Sequence, residues 1–126
     1  MQHYCVLKFN SPTEMLAQHG IDYAEAMERF CGNECLFVRL AVKYADDPHF
    51  LALEAAMADD DAAAAEREAH SLKGIAGNLS FVRLYDLAAR ITDALRADDF
   101  EQARALMPAL RESHDAVLEA LEALKG

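Results

Sequence analysis

The chain has no tryptophan, and only three prolines and five glycines interrupt its 126 residues. So few breakers leave long stretches free to remain helical. It has three cysteines, Cys5, Cys31 and Cys35. An odd number implies no disulfide framework, and a reducing compartment is expected. Basic residues are scarce, 12 against 22 acidic ones, for a net charge of −10. Such a surface repels phosphate backbones, which argues against nucleic-acid binding. No apolar run approaches the roughly 20 residues that span a bilayer. Met1 to Asn10 has neither the apolar centre nor the small-residue cleavage site of a secretory leader. A soluble, cytoplasmic monomer without membrane contact is expected.

What the chain does have is helix-forming material. Alanine occurs 25 times and leucine 16 times. Apolar residues make up 53% of the chain, which excludes wholesale disorder. The length suits one domain with one core. The expectation is an all-α fold: an antiparallel up-down four-helix bundle with short additional N-terminal helices. Residues 1–10 read as an N-terminal arm and residues 11–126 as the bundle domain.

Caps and stops divide the chain. Ser11-Pro12-Thr13-Glu14 opens a short helix that Gly20 stops, and Asp22 with Glu25 opens a second that reaches Gly32. Asn33 caps a third helix, to about Ala45, with Phe37, Leu40, Ala41 and Tyr44 on one side. Asp47 as cap and Pro48 at the first position restart the pattern, with Phe50, Leu53 and Met57 inward. Asp59-Asp60-Asp61 ends that helix and caps the next, and Ser80 reads as the cap of the one after. Asp99 with Gln102 begins the last, whose stripe keeps phase across Pro108 and so predicts a kink, not a break. The four longer helices, 33–45, 62–79, 82–97 and 100–124, are expected to form the bundle, with 48–58 extending the first.

One segment does not follow from bundle packing. Within Ala69-His70-Ser71-Leu72-Lys73-Gly74-Ile75-Ala76-Gly77-Asn78-Leu79, two glycines sit inside a helix, each costing about 1 kcal/mol relative to alanine. With His70 at zero on a helical wheel, Gly74 falls at about 40°, Gly77 at about 340°, Lys73 at about 300° and Glu66 at about 320°. The apolar row Ala65, Ala69, Leu72, Ala76 and Leu79 centres near about 210°. His70 and both glycines therefore share the solvent face, where bare backbone lets another molecule approach. A neutral imidazole there is a nucleophile, and Lys73 supplies positive charge for an incoming phosphoryl group.

This pattern resembles the signature of histidine-containing phosphotransfer (HPt) domains of bacterial two-component phosphorelays. Arg29-Phe30-Cys31-Gly32-Asn33-Glu34 and the Asp-Asp-Phe turn at 98–100 are similar to HPt modules too, so the resemblance covers roughly residues 20–124. It implies a helical bundle without catalytic activity of its own. A histidine takes a phosphoryl group from a receiver-domain aspartyl phosphate and passes it to another receiver. Carried over by motif, His70 is the phosphoacceptor through Nε2, Lys73 assists electrostatically, and Gly74 and Gly77 keep the approach open for docking. The implied partners are response-regulator receivers and a hybrid sensor histidine kinase, and no cofactor is implied. Some members place a Gln or Glu on the next helix against the second imidazole nitrogen. Thr92 stands there in this chain and is shorter, so Glu66, one turn before His70, is the candidate to take that role.

Other constellations are weaker. Cys31 and Cys35 lack the further ligands of a zinc site and read as buried thiols. His3, His19 and His49 are scattered, and His114 reads as an edge of the core. No pair of Glu-x-x-His motifs supports a di-iron centre, so no metal is expected. The rival reading is a helical adaptor that binds receivers without exchanging phosphate. It uses the same face but has no need of the imidazole.

Overall fold

A computed structural model describes residues 12–125, so the expected arm at 1–10 and the capping side chain of Ser11 lie outside the described residues. Seven α-helices follow one another: α1 Pro12–Gln18, α2 Tyr23–Arg29, α3 Glu34–Val42, α4 His49–Ala58, α5 Ala62–Asn78, α6 Val82–Arg96 and α7 Phe100–Lys125. A 3₁₀ turn, Lys43–Asp46, joins α3 to α4. No strand occurs among the described residues.

The bundle is built around α5. It packs against α4 on one side and α6 on the other, and α6 packs against α7. Short turns make these neighbours antiparallel. The fourth member is divided. Instead of one helix running to Ala45 with 48–58 as its extension, α3 ends at Val42 and docks on α7, while α4 is the segment that covers α5. The 3₁₀ turn redirects the chain between them and buries Tyr44.

The wheel of α5 is borne out. Ala65, Ala69, Leu72 and Ala76 are 0% exposed, and Leu79 is buried at its end. The inward stripe of α6 holds Leu84, Leu87, Ala88, Ile91 and Leu95, and that of α7 holds Leu110, Val117 and Leu121. Phe37, Phe50 and Phe81 are the largest fully buried side chains. Leu16 of α1, Ala26 of α2 and Ile21 of the turn between them join the same core. Pro108 lies on the exposed side of a continuous α7, where the carbonyl one turn back, deprived of its N–H donor, faces water.

Caps at Asp22, Asn33, Asp61 and Asp99 each accept from the backbone N–H three residues on, at 3.0–3.1 Å. Two other assignments shift. Pro48 occupies the cap and His49 the first helical position, with Asp47 Oδ2 accepting from His49 N at 3.0 Å. Ser80 is not the cap of α6; Phe81 is, without a side-chain bond. Ser80 ends α5 instead. Its N–H bonds Gly77 O at 3.3 Å and Phe81 N–H bonds Ala76 O at 2.9 Å, the paired bonds of a Schellman motif. That motif puts Ser80 at φ 59°, and Gly20 takes the matching place after α1 at φ 82°. Glycine adopts this conformation freely and serine does not. The Ser80 hydroxyl is also buried and lacks a hydrogen-bond partner.

The cysteines differ from expectation. Cys31 is free and exposed, and Cys35 is disulfide-bonded, although an odd cysteine count implied no disulfide framework. His114 does sit in the core, 9% exposed. Its ring stacks on Phe50 at 3.9 Å and its Nδ1 meets the Tyr44 hydroxyl at 2.8 Å. Burial holds its pKa below the ordinary histidine value, with the nearby Arg111 guanidinium acting in the same direction against the opposing carboxylates.

Two outcomes are expected. Ser80→Gly removes both a left-handed serine and an unpaired buried hydroxyl, and should stabilise the fold by roughly 1 kcal/mol in urea denaturation. His114 is neutral in both states at high pH. As pH falls through the ordinary histidine value, the unfolded chain takes up the proton first. The stability that His114 contributes is therefore present above that value and is lost as pH falls toward the lowered one. His114→Gln should flatten that acid-side loss between about pH 7 and 5, checked by denaturation midpoints across the range.

Candidate functional site

Helix α5 turns one face to the core and the opposite face to solvent, and His70 is exposed on the latter. Glu66 and Lys73 are half-buried on the same side. Lys73 makes no ion pair among the described residues, so its ammonium is available to a ligand. Arg67, one turn before His70 and exposed, is likewise unpaired. On the helical wheel it lies about 60° from His70, on the side opposite to Lys73, a position that no glycine marks. In a chain of net charge −10, His70 is thus flanked on its own helix by two cations that make no ion pair among the described residues.

The two glycines prove unlike. A Cβ built on Gly74 meets nothing within 4 Å, so packing against a neighbour does not account for it. A Cβ on Gly77 comes 3.1 Å from Tyr85 Cδ1 and 3.3 Å from Cε1. Packing therefore does account for Gly77: it lets the Tyr85 ring lie close against α5. That corrects the expectation that both glycines stand clear of bundle packing. The ring remains 43% exposed, and Val82 beside it 39% exposed. Together with Gly77 and Arg29 they line an open groove at the far end of the His70 face.

The ring of His70 is held by a residue the sequence did not reveal. Arg96, at the end of α6, places Nη2 3.3 Å from His70 Nδ1. Its Nε donates to Glu66 Oε2 at 3.0 Å. Glu66 therefore reaches Arg96 and not the imidazole, and the guanidinium bridges the two. Thr92 is fully buried and gives its hydroxyl to Ala88 O at 2.7 Å, so it plays no part at the ring. Glu66 could not be placed from its own helix because the competing cation comes from another one, 26–30 residues away. His70 Nε2 has no protein partner among the described residues.

Chemically this is a shallow surface with an exposed imidazole and three cations around it. It resembles a place where an anion arrives on another macromolecule, more than a pocket that encloses a small molecule. No group of three or more His, Cys, Asp or Glu side chains among the described residues is arranged to hold a metal ion. No helix there is long and apolar enough to cross a membrane.

No curated protein and no solved structure matches the chain. The family comparison does find a match: the Hpt domain, over residues 47–125. That span holds α4 to α7, and with them His70, Lys73, Gly74 and the Glu66–Arg96 pair. More than half of the chain is matched, its fold is the expected helical bundle, and it belongs to the Hpt domain family.

Proposed function

We propose that this protein is a phosphorelay carrier in which His70 takes a phosphoryl group from the aspartyl phosphate of one receiver domain and gives it to another. Hpt domains are phosphotransfer modules that work with receivers and kinases, which supplies the class of reaction. The observation that supports His70 is its exposure on a glycine-bared helix face, between the unpaired Lys73 and Arg67 and beside Arg96. Four other histidines occur in the sequence. His19 and His49 are engaged by Glu119 and Glu68, His114 is buried, and His3 lies outside the described residues.

In the transfer, Nε2 supplies an electron pair to phosphorus while the acyl P–O bond breaks and its electrons return to the aspartate carboxylate. Lys73 and the arginines offset the phosphoryl charge during this exchange. The residues of this chain thus orient the ring and stabilise charge, and the reaction is a reversible exchange between carriers. Gly74 leaves room for the partner's backbone or side chains. Val82 and Tyr85 add an apolar contact at the other end of the face, with the charged residues as its polar rim.

Residues 11–126 are read as one Hpt unit, because Leu16, Ile21, Ala26 and Phe37 share the core of the matched helices. A role in the cytoplasm, with response regulators and a hybrid kinase as partners, belongs to the same proposal.

The test uses a panel of phosphorylated receivers mixed with wild type and His70→Gln, followed by intact mass. Transfer to wild type and none to the folded variant is expected. Transfer to both would move the site elsewhere, and binding without transfer would favour an adaptor. Gly74→Gln should block transfer with the fold intact, since no neighbour opposes the added side chain. Normal transfer in Gly74→Gln would remove the docking argument. Lys73→Ala should slow transfer by about tenfold, the effect of losing roughly 1.4 kcal/mol of transition-state stabilisation.

A further inference from the structure

We infer that Arg96 and Glu66 form a two-position switch that sets which nitrogen of His70 carries the proton, and so whether Nε2 is nucleophilic. The inference rests on the reading of His70 as the phosphoacceptor. It starts from the direction of one hydrogen bond. A guanidinium has only N–H donors and stays protonated. At 3.3 Å from Arg96 Nη2, His70 Nδ1 must therefore be the acceptor. In a neutral imidazole one nitrogen accepts and the other bears the hydrogen. The proton then resides on Nε2, the nitrogen without a partner among the described residues. In this arrangement the exposed nitrogen is an N–H group, and its lone pair is not available to attack phosphorus.

The same contacts show how the arrangement can be undone. Arg96 is held from the other side by Glu66 Oε2 at 3.0 Å, and the pair is surface-exposed, with 49% of the Arg96 and 39% of the Glu66 side chain accessible. An exposed ion pair of this kind is weak, so a stronger anion can displace it. A phosphoryl group brought to Nε2 is such an anion, since a guanidinium binds it with paired hydrogen bonds. When Arg96 turns to the phosphoryl oxygens, both of its former partners are released. Glu66 stands one helical turn before His70, the spacing at which side chains meet. Its carboxylate then accepts a hydrogen bond from Nδ1–H.

The proton balance is closed. In the resting ring Nε2 bears hydrogen and Nδ1 a lone pair. On switching, Nε2 gives its proton to water and Nδ1 takes one from water, with no net uptake. The Nε2 lone pair forms the bond to phosphorus as the aspartyl P–O bond breaks. The product ring carries phosphorus on Nε2 and hydrogen on Nδ1, and its positive charge faces the Glu66 carboxylate. The return transfer runs the same steps backwards. Arg96 is thus a positioning residue: at rest it blocks the nucleophile, and with the phosphoryl group present it holds the group.

The test reads the ring directly by nitrogen-15 NMR of His70, at a pH high enough to leave it neutral, without any phosphodonor. Wild type should show the Nε2–H form. Arg96→Ala should shift the ring to Nδ1–H, with Glu66 accepting. The double variant Arg96→Ala with Glu66→Ala should lose that shift. All three residues are on the surface, so these variants retain the core. An unchanged tautomer in Arg96→Ala would overturn the switch while leaving His70 as phosphoacceptor. The expected tautomer changes, together with phosphoryl transfer to His70→Gln, would instead refute the acceptor assignment and leave the proton switch standing.

Discussion

The rest of the structure depends on the small-residue face of α5. Three of its four fully buried positions are alanine, at 65, 69 and 76. Small side chains let α4 and α6 approach its backbone from two sides, with Leu72 as the one large residue among the four. Once that face is buried, helical geometry leaves the opposite face no choice but solvent. The exposure of His70 is thus a consequence of core packing. It also explains how the site can be shallow and still well placed: the ring is mounted on a helix packed between two others, α4 and α6.

The site itself is made where two antiparallel helices meet. At one end Tyr85 of α6 lies over Gly77 of α5, and at the other Arg96 of α6 reaches Glu66 and His70 of α5. Between them Gly74 is bare. The face therefore has an apolar end, an open middle and a charged end. Such a division suits a partner that must be held long enough to exchange a phosphoryl group and then be released. In the proposed function the apolar end would supply contact area and the charged end would meet the phosphoryl group.

The turns show a related economy. Five helices end in the same pair of backbone bonds, closing at Gly20, Cys31, Asp60, Ser80 and Asp98. Only the first of these is glycine. The others hold the left-handed conformation with a side chain in place of glycine's hydrogen, and a tertiary contact fixes one of these turns. At Ser80 the contact is visible: its carbonyl accepts from Asp22 N at 2.9 Å, which ties the N-terminal helices to the turn between α5 and α6. Asp22 also caps α2, so one residue joins the two halves of the chain.

Local pattern by itself determined the fold class, the order of the helices, the inward row of α5 and the exposure of His70. These follow from periods of 3.6 residues and from capping side chains, both of which are properties of adjacent residues. Tertiary structure decided the remainder. It split the fourth bundle member at a 3₁₀ turn, made Ser80 a left-handed stop, placed Gly77 under Tyr85 and turned Thr92 into the core. Above all it brought Arg96 to the imidazole and drew Glu66 away from it. A wheel describes one helix. Which residue of the next helix meets it depends on how the two cross and in what register, and that is settled only when their buried faces pack.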